Sequence, residues 1–193
     1  IPSVLQHWDK NNYVLFGPYF EKNAAAIFEP IIDGDDPIAH AVKEMNDNGF
    51  KVHYGTWLTE GRPKAVLFDF SAGYHYLGNI KYLFWEHHHI NLPEDDGLLN
   101  QVLLFGHHTH HFLRLFTEKY RGDKNIIAHF HEWMSGTSIP EIRKDNLPVS
   151  IVFTTHATML GRYLAMNDSN FYNNLPLYDW AYEAKNFNIE GIV

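Results

Sequence analysis

Apolar runs of strand length alternate along this chain with longer stretches in which apolar residues recur every three or four positions. Tyr13–Tyr19 (YVLFGPY) predicts a strand stopped by Gly17-Pro18. Pro37–Asn48 predicts a helix, because Asp36 can cap it, Pro37 suits its first turn and Gly49 ends it. Phe50–Leu58 is rich in β-formers and predicts a second strand. Ala65–Phe70 (AVLFDF) is a continuous apolar run after a Gly61-Arg62-Pro63 turn and predicts a third. Two helices follow, Gly78–His88 and Leu98–Tyr120. Asn125–Phe130 (NIIAHF) predicts a buried strand, and Trp133–Lys144 a helix that Pro140 limits or bends. Ser150–Thr155 (SIVFTT) predicts another strand and Ala157–Met166 another helix. The stretch 170–193 is polar and aromatic and has no assignable period.

This alternation predicts an α/β fold: a parallel sheet with helices packed on its faces. The sequence shows no internal repeat, low-complexity tract or linker. In such sheets ligands bind beyond the carboxyl ends of the strands. NIIAHF runs directly into His131-Glu132-Trp133, and SIVFTT runs directly into His156-Ala157-Thr158. Each strand end therefore delivers a histidine and then a helix N-terminus, whose free N–H groups and positive dipole end suit phosphate or sugar oxygens.

Composition narrows the classes. The 193 residues are 45% hydrophobic and 16% aromatic, enough for a sizeable core. There is no cysteine, which excludes disulfides and thiolate metal sites and fits a reducing compartment. Lys and Arg number 15 against 23 acids, a formal charge of -8. An acidic chain without a basic stripe is a poor nucleic-acid binder. No apolar run approaches the roughly 20 residues a membrane span needs, and no charged-then-apolar leader opens the chain. The expectation is a soluble, cytoplasmic protein whose true N-terminus precedes Ile1.

Fourteen histidines are many for this length. His87, His88 and His89 form a run, and His107, His108, His110 and His111 sit in one predicted helix. His107 and His111 share a helix face, the spacing of a metal pair. A metal site also needs a third ligand and an outer shell, and the sequence marks neither, so no metal ligands are expected. His131-Glu132 also fails the zinc-protease helix pattern, because Ser135 stands where its second histidine would be. His129 and His131 are two apart on a strand and face the same way. Glu132 and Trp133 add a carboxylate and an aromatic surface suited to sugar hydroxyls and ring faces. Arg162 is either a surface ion pair, worth little, or a phosphate contact. Gly136 and Gly161 permit a close backbone approach or serve packing. Asn173 and Asn174 carry hydroxyl-binding amides or simply form a turn.

AHFHEWMSG (Ala128–Gly136), IVFTTHATMLGRYLA (Ile151–Ala165) and FYNNL (Phe171–Leu175) closely resemble the glycogen synthases of the animal and fungal type. That family reads HFHEW-L-A-G, then IFTTHATLLGRYL, then a FYNNL-like stretch. YVLFGPYF looks like its early strand, and GFKVHYGTWLTEGRPKAVLFDFSAG like its FGRWLIEGxPxVILFDIGS region. Phe84-Trp85-Glu86 and Asn100–Gly106 answer its ELWE and NDAVLFG segments. The resemblance runs from about Tyr13 to Leu175, with its motifs in order.

The resemblance implies a retaining glucosyltransferase that moves glucose from UDP-glucose to the 4-hydroxyl at the non-reducing end of an α-1,4-glucan. It implies a GT-B architecture of two Rossmann-like lobes, with residues 1–193 a partial N-terminal lobe. No cofactor and no catalytic metal are implied. The catalytic residue carried over is His131, on the donor glucose. His129, Glu132, Trp133, Gly136, Thr155, His156, Arg162 and Asn173 are expected to bind substrate. The family's glycine loop and C-terminal lobe, which holds most UDP contacts and a catalytic Glu, have no match here. The chain alone is therefore expected to be inactive, and the full protein to be a homo-oligomer. Rival readings are a glucan-binding lobe using Tyr74, Tyr76, Tyr82 and Trp85, a related transferase with another donor, and a His-rich metal binder. Starch-type bacterial synthases share a His-x-His-acid-Trp stretch but not the TTHATxLGRYL run.

Overall fold

The computed structural model describes residues 2–191, and the chain divides into two compact units with the boundary between Phe153 and Thr154. The first unit opens with α1 (Pro2–His7), β1 (Val14–Pro18), α2 (Glu21–Ile27), β2 (Phe28–Pro30) and α3 (Pro37–Asp47). It continues through β3 (Lys51–Trp57), β4 (Lys64–Asp69), α4 (Leu77–His88) and α5 (Gly97–Lys119). It closes with β5 (Ile126–His131), α6 (Glu132–Gly136), α7 (Ile139–Lys144) and β6 (Val149–Thr154), whose last residue opens the second unit.

The fold is mixed α/β, and its sheet is only partly parallel. Four strands run in the order β1-β4-β3-β2; β5 and β6 form a separate pair. β1 and β4 are parallel, with Val14 opposite Lys64 and Gly17 opposite Leu67. β4–β3 and β3–β2 are antiparallel, which corrects the expected wholly parallel arrangement. The reason is local. β3 and β4 are joined by residues 58–63 alone, too short for the crossover that parallel neighbours require. Gly61 (φ 86°) and Arg62 (φ 43°) reverse the chain there.

β4 is buried on both sides, so it reads as a continuous apolar run. Val66 and Phe68 face Ala41 and Met45 of α3 and Phe112 and Phe116 of α5. Ala65 and Leu67 face the other way, onto Ala24 of α2, Phe28 and Trp57. Helices therefore cover both faces, as expected. α5 is the spine of the unit. Its Leu103 and Leu104 pack on Ile80 and Phe84 of α4, while its Leu113 packs on Phe130 of β5 and Ile142 of α7.

Asp36 fastens α3 to the sheet. One carboxylate oxygen accepts the Ile38 and Ala39 N–H groups, and the other accepts from the Tyr54 hydroxyl at 2.8 Å and Lys64 Nζ at 3.0 Å. Burial alone would raise this carboxyl; the bonds from Lys64, Tyr54 and Ala39 outweigh it and hold it below the ordinary value. Asp36→Ala is expected to cost about 2 kcal/mol, roughly half from the lost cap and half from stranding Tyr54 and Lys64. Urea denaturation of the variant measures this.

The helix expected over Trp133–Lys144 is two helices, α6 and α7, separated at Thr137-Ser138. Pro140 lies in the first turn of α7, where its missing N–H costs nothing. The second unit contains α8 (Met159–Asn167), α9 (Phe171–Asn174) and α10 (Trp180–Asn186). Leu160, Leu164, Ala184 and Ile189 form its own small core. Asp168 organises the stretch that lacks a sequence period, accepting from Asn170 N, Asn174 Nδ2 and the Tyr178 hydroxyl. Ile192 and Val193 lie outside the described residues.

Candidate functional site

β5 alternates cleanly. Ile126, Ala128 and Phe130 turn inward onto Leu113 and Ile142, so Ile127, His129 and His131 turn outward. His129 and His131 are both exposed, and their rings stack 4.2 Å apart. This is the same-face geometry their two-residue spacing requires. The strand then breaks abruptly. Glu132 adopts a left-handed backbone, φ 64°, which costs a non-glycine residue of order 1 kcal/mol and collects at functional sites. The Ser135 hydroxyl donates to the His131 carbonyl at 2.7 Å and holds the turn. Trp133 is half-exposed, so it does not anchor the segment in the core.

α6 is clamped to the spine from below. The Thr137 hydroxyl donates to the Val102 carbonyl at 2.9 Å. Gly136 is a packing glycine, since a Cβ there would lie 3.0 Å from the Phe153 ring. A shallow concavity of about 560 Å³, lined by Lys10, Thr56, Arg62 and Lys64 among others, lies at the β3–β4 turn and contains none of these residues.

The first unit thus brings together His129, His131, Glu132, Trp133 and Gly136. The second unit holds Thr155, His156, Arg162 and Asn173. Its helix α8 starts at Met159, two residues later than expected, because Thr158 caps it by accepting from Gly161 N at 3.0 Å. His156 therefore lies in a non-helical stretch ahead of the helix. Arg162 is exposed in the helix's first turns. A Cβ at Gly161 would lie 3.0 Å from the Thr158 hydroxyl, so this glycine packs against the cap. Asn173 is exposed, and its amide donates to Asn170 Oδ1 at 2.6 Å.

Three of the four α5 histidines pack against core aromatics, and the fourth, His110, pairs with Asp145 Oδ2 at 3.0 Å. His108 is buried, with Nδ1 2.7 Å from the Leu104 carbonyl. The rings of His107 and His111 lie 5.1 Å from Tyr76 and 4.5 Å from Phe50, respectively. Sequence reasoning missed what holds α6 in place. Gly106 was visible only as part of a family motif, although it is the residue that admits Thr137 against α5.

An outward-facing histidine pair at a strand end, followed by a strained acidic residue and a half-exposed tryptophan, makes a polar, ring-faced surface. A sequence profile of the glycogen synthase family matches residues 4–190. The chain belongs to that family, whose members are glycosyltransferases. It is 44% identical over 182 residues to the liver glycogen (starch) synthase of Rattus norvegicus, covering 94% of this chain and 26% of that protein. Against the glycogen (starch) synthase of Neurospora crassa it is 37% identical over 174 residues, 90% of this chain and 24% of that protein. With that of Dictyostelium discoideum it shares 38% over 177 residues, 91% and 20% respectively. The chain thus spans about a quarter of the length of these relatives. No helix among the described residues is long and apolar enough to cross a membrane.

Proposed function

We propose that the protein containing this chain is a glycogen synthase, transferring glucose with retention from UDP-glucose to the 4-hydroxyl at the non-reducing end of an α-1,4-glucan. The chain would be part of its N-terminal GT-B lobe. The observation that carries this reading is His131, standing outward at the end of β5 beside His129 and ahead of the left-handed Glu132. Breaking the anomeric C–O bond develops positive charge on the sugar ring and negative charge on the departing diphosphate. His131 holds a donor glucose hydroxyl and fixes the anomeric carbon, with His129 supporting its ring. Glu132 and Trp133 bind acceptor or donor hydroxyls and a ring face. Within the second unit, Thr155, His156 and Asn173 are substrate-binding residues, and Arg162 is a contact for the diphosphate. The remaining UDP contacts come from the C-terminal lobe, so the chain alone is inactive. No cofactor or catalytic metal takes part, and the enzyme works as a cytoplasmic homo-oligomer.

In the full-length protein, His131→Ala is expected to lower kcat on the order of hundredfold, the loss of one preorganised contact that strengthens in the transition state. Tm should hardly move, because the side chain is exposed. Wild-type turnover, or an unfolded variant, would sink the assignment.

A separate glucan-binding role has one observation in its favour. Tyr82 and Trp85 are each about half-exposed on α4, with ring centroids 6.0 Å apart. Tyr76, by contrast, packs on Phe50 and His107 and is unavailable. Affinity electrophoresis in glycogen gels decides it: Trp85→Ala should abolish retardation of the chain if this surface binds glucan.

A further inference from the structure

We propose that His87, His88 and Glu141 form a binding site for a divalent transition cation of the zinc class, clamping α4 to α7. His88 Nε2 lies 2.7 Å and His87 Nδ1 3.2 Å from the same oxygen, Glu141 Oε1. One ligand atom from each residue can be chosen so that all three lie within 4.8 Å of one another. The three side chains are 18%, 20% and 16% exposed, a half-buried setting that still admits an ion.

The scaffold fixes this geometry. α4 stops at His88 because His89 turns left-handed, φ 57°, and its N–H caps the carbonyls of Phe84 and Trp85. The two preceding histidines are thereby held at a helix end. Glu141 sits in the first turn of α7, beside Ile142, which is buried on Leu113 and Phe130. Two imidazoles and one carboxylate are a His₂Glu donor set, leaving a fourth position for water. Bonds of about 2.0–2.1 Å in a tetrahedron place ligand atoms about 3.4 Å apart, so the observed spacings need only a small opening. The other ring nitrogen of His87, Nε2, lies 3.8 Å from Glu86 Oε2, an ion-pair distance beyond hydrogen-bond range that leaves Glu86 as a neighbouring negative charge. The sequence marks the histidine run but not the third ligand, which comes from more than fifty residues away. None of the three residues is among those proposed to hold donor or acceptor, and the site does not enter the transfer reaction.

Chelator-treated intact protein titrated with Zn²⁺ by calorimetry, and with Co²⁺ by visible absorption, should show one saturable site. Zn²⁺ at about a hundredfold excess over Kd should raise Tm by several degrees. Glu141→Gln keeps the side-chain volume and an amide oxygen for His88. It should weaken Zn²⁺ at least about a hundredfold, as should His88→Ala. The pair His107→Ala and His111→Ala should leave the site intact. No saturable binding, or binding indifferent to Glu141→Gln, overturns the proposal. If either site variant fails to fold, NMR of the wild type decides. Zn²⁺ must shift the imidazole resonances of His87 and His88; shifts confined to other histidines overturn the proposal.

Discussion

Lowering the pH from about 7.5 to about 5 is expected to remove about 4 kcal/mol of folding stability through His107 and His111 alone. Burial pushes His107 down to about 3, helped by the neighbouring His108, His111, His110 and Arg114. Burial also lowers His111 to about 4, with Arg114, His110 and His108 adding to it and Glu44 of α3 opposing. Arg114 Nη2 lies 3.3 Å from His111 Nδ1, so that nitrogen accepts and the ring is neutral. In the unfolded chain both residues titrate near 6.5. Below that value the unfolded state takes up protons that the folded state refuses, and stability falls until the pH reaches the folded values. At pH 5 each ring contributes about 1.5 pH units at 1.36 kcal/mol per unit, or about 2 kcal/mol. Carboxylates with lowered values, such as Asp36, stay charged across this window and do not compete. Urea denaturation at the two pH values measures the difference. The double variant His107→Phe, His111→Leu should remove that part of the loss and leave the part due to His108 and His110, which burial also lowers; a flat wild-type profile refutes the argument.

Local chemistry was legible in the sequence where one element declares itself. Asp36, Pro37 and Gly49 bracket α3 as their cap, first-turn and stop roles require. The stacked rings of His129 and His131 follow from period-two alternation, because a strand leaves no other option. Strand order was not legible. It depends on the short connection 58–63, whose length was visible but whose consequence needs the neighbours' identity. α2 (EKNAAAI) carries no apolar stripe, and β2 is only three residues long. Both exist because Ala24 and Phe28 find Leu67 and Ala65. In the candidate site, residue types were readable but backbone strain was not. Nothing about a glutamate announces a left-handed conformation at Glu132; it is imposed by docking α6 on α5 immediately after a buried Phe130. The approach of Glu141 to His87 and His88 is likewise a tertiary contact with no local signal.

That docking makes Gly106 a sensitive position away from the site. Gly106→Val is expected to cost about 3 kcal/mol or more in stability and to reduce turnover of the full-length enzyme more than tenfold. A Cβ at Gly106 would stand 2.3 Å from Thr137 Oγ1, 2.9 Å from the Thr137 carbonyl carbon and 3.0 Å from Ser138 N. Two of these three are backbone atoms and cannot rotate aside. Removing a helix-interior glycine returns about 1 kcal/mol of propensity in the alanine case and less for a β-branched residue. That gain does not offset overpacking of about 1–3 kcal/mol for a first carbon, with more for two further methyls. Relief must come from moving the α6–α7 connection off α5, which breaks the Thr137 bond to the Val102 carbonyl. Glu132, Trp133 and Gly136 move with α6, whereas Phe130 keeps β5 seated on Leu113 and Ile142. The contacts proposed for Glu132 and Trp133 should therefore fail even at temperatures where the variant stays folded. Thr137→Ala removes the closest contact but leaves the two backbone contacts, so in Gly106→Ala it should restore part of the lost Tm. A double-mutant cycle then gives a coupling of about 1 kcal/mol. If Gly106→Val keeps wild-type Tm and turnover, α6 is not held against α5 in the way this contact requires.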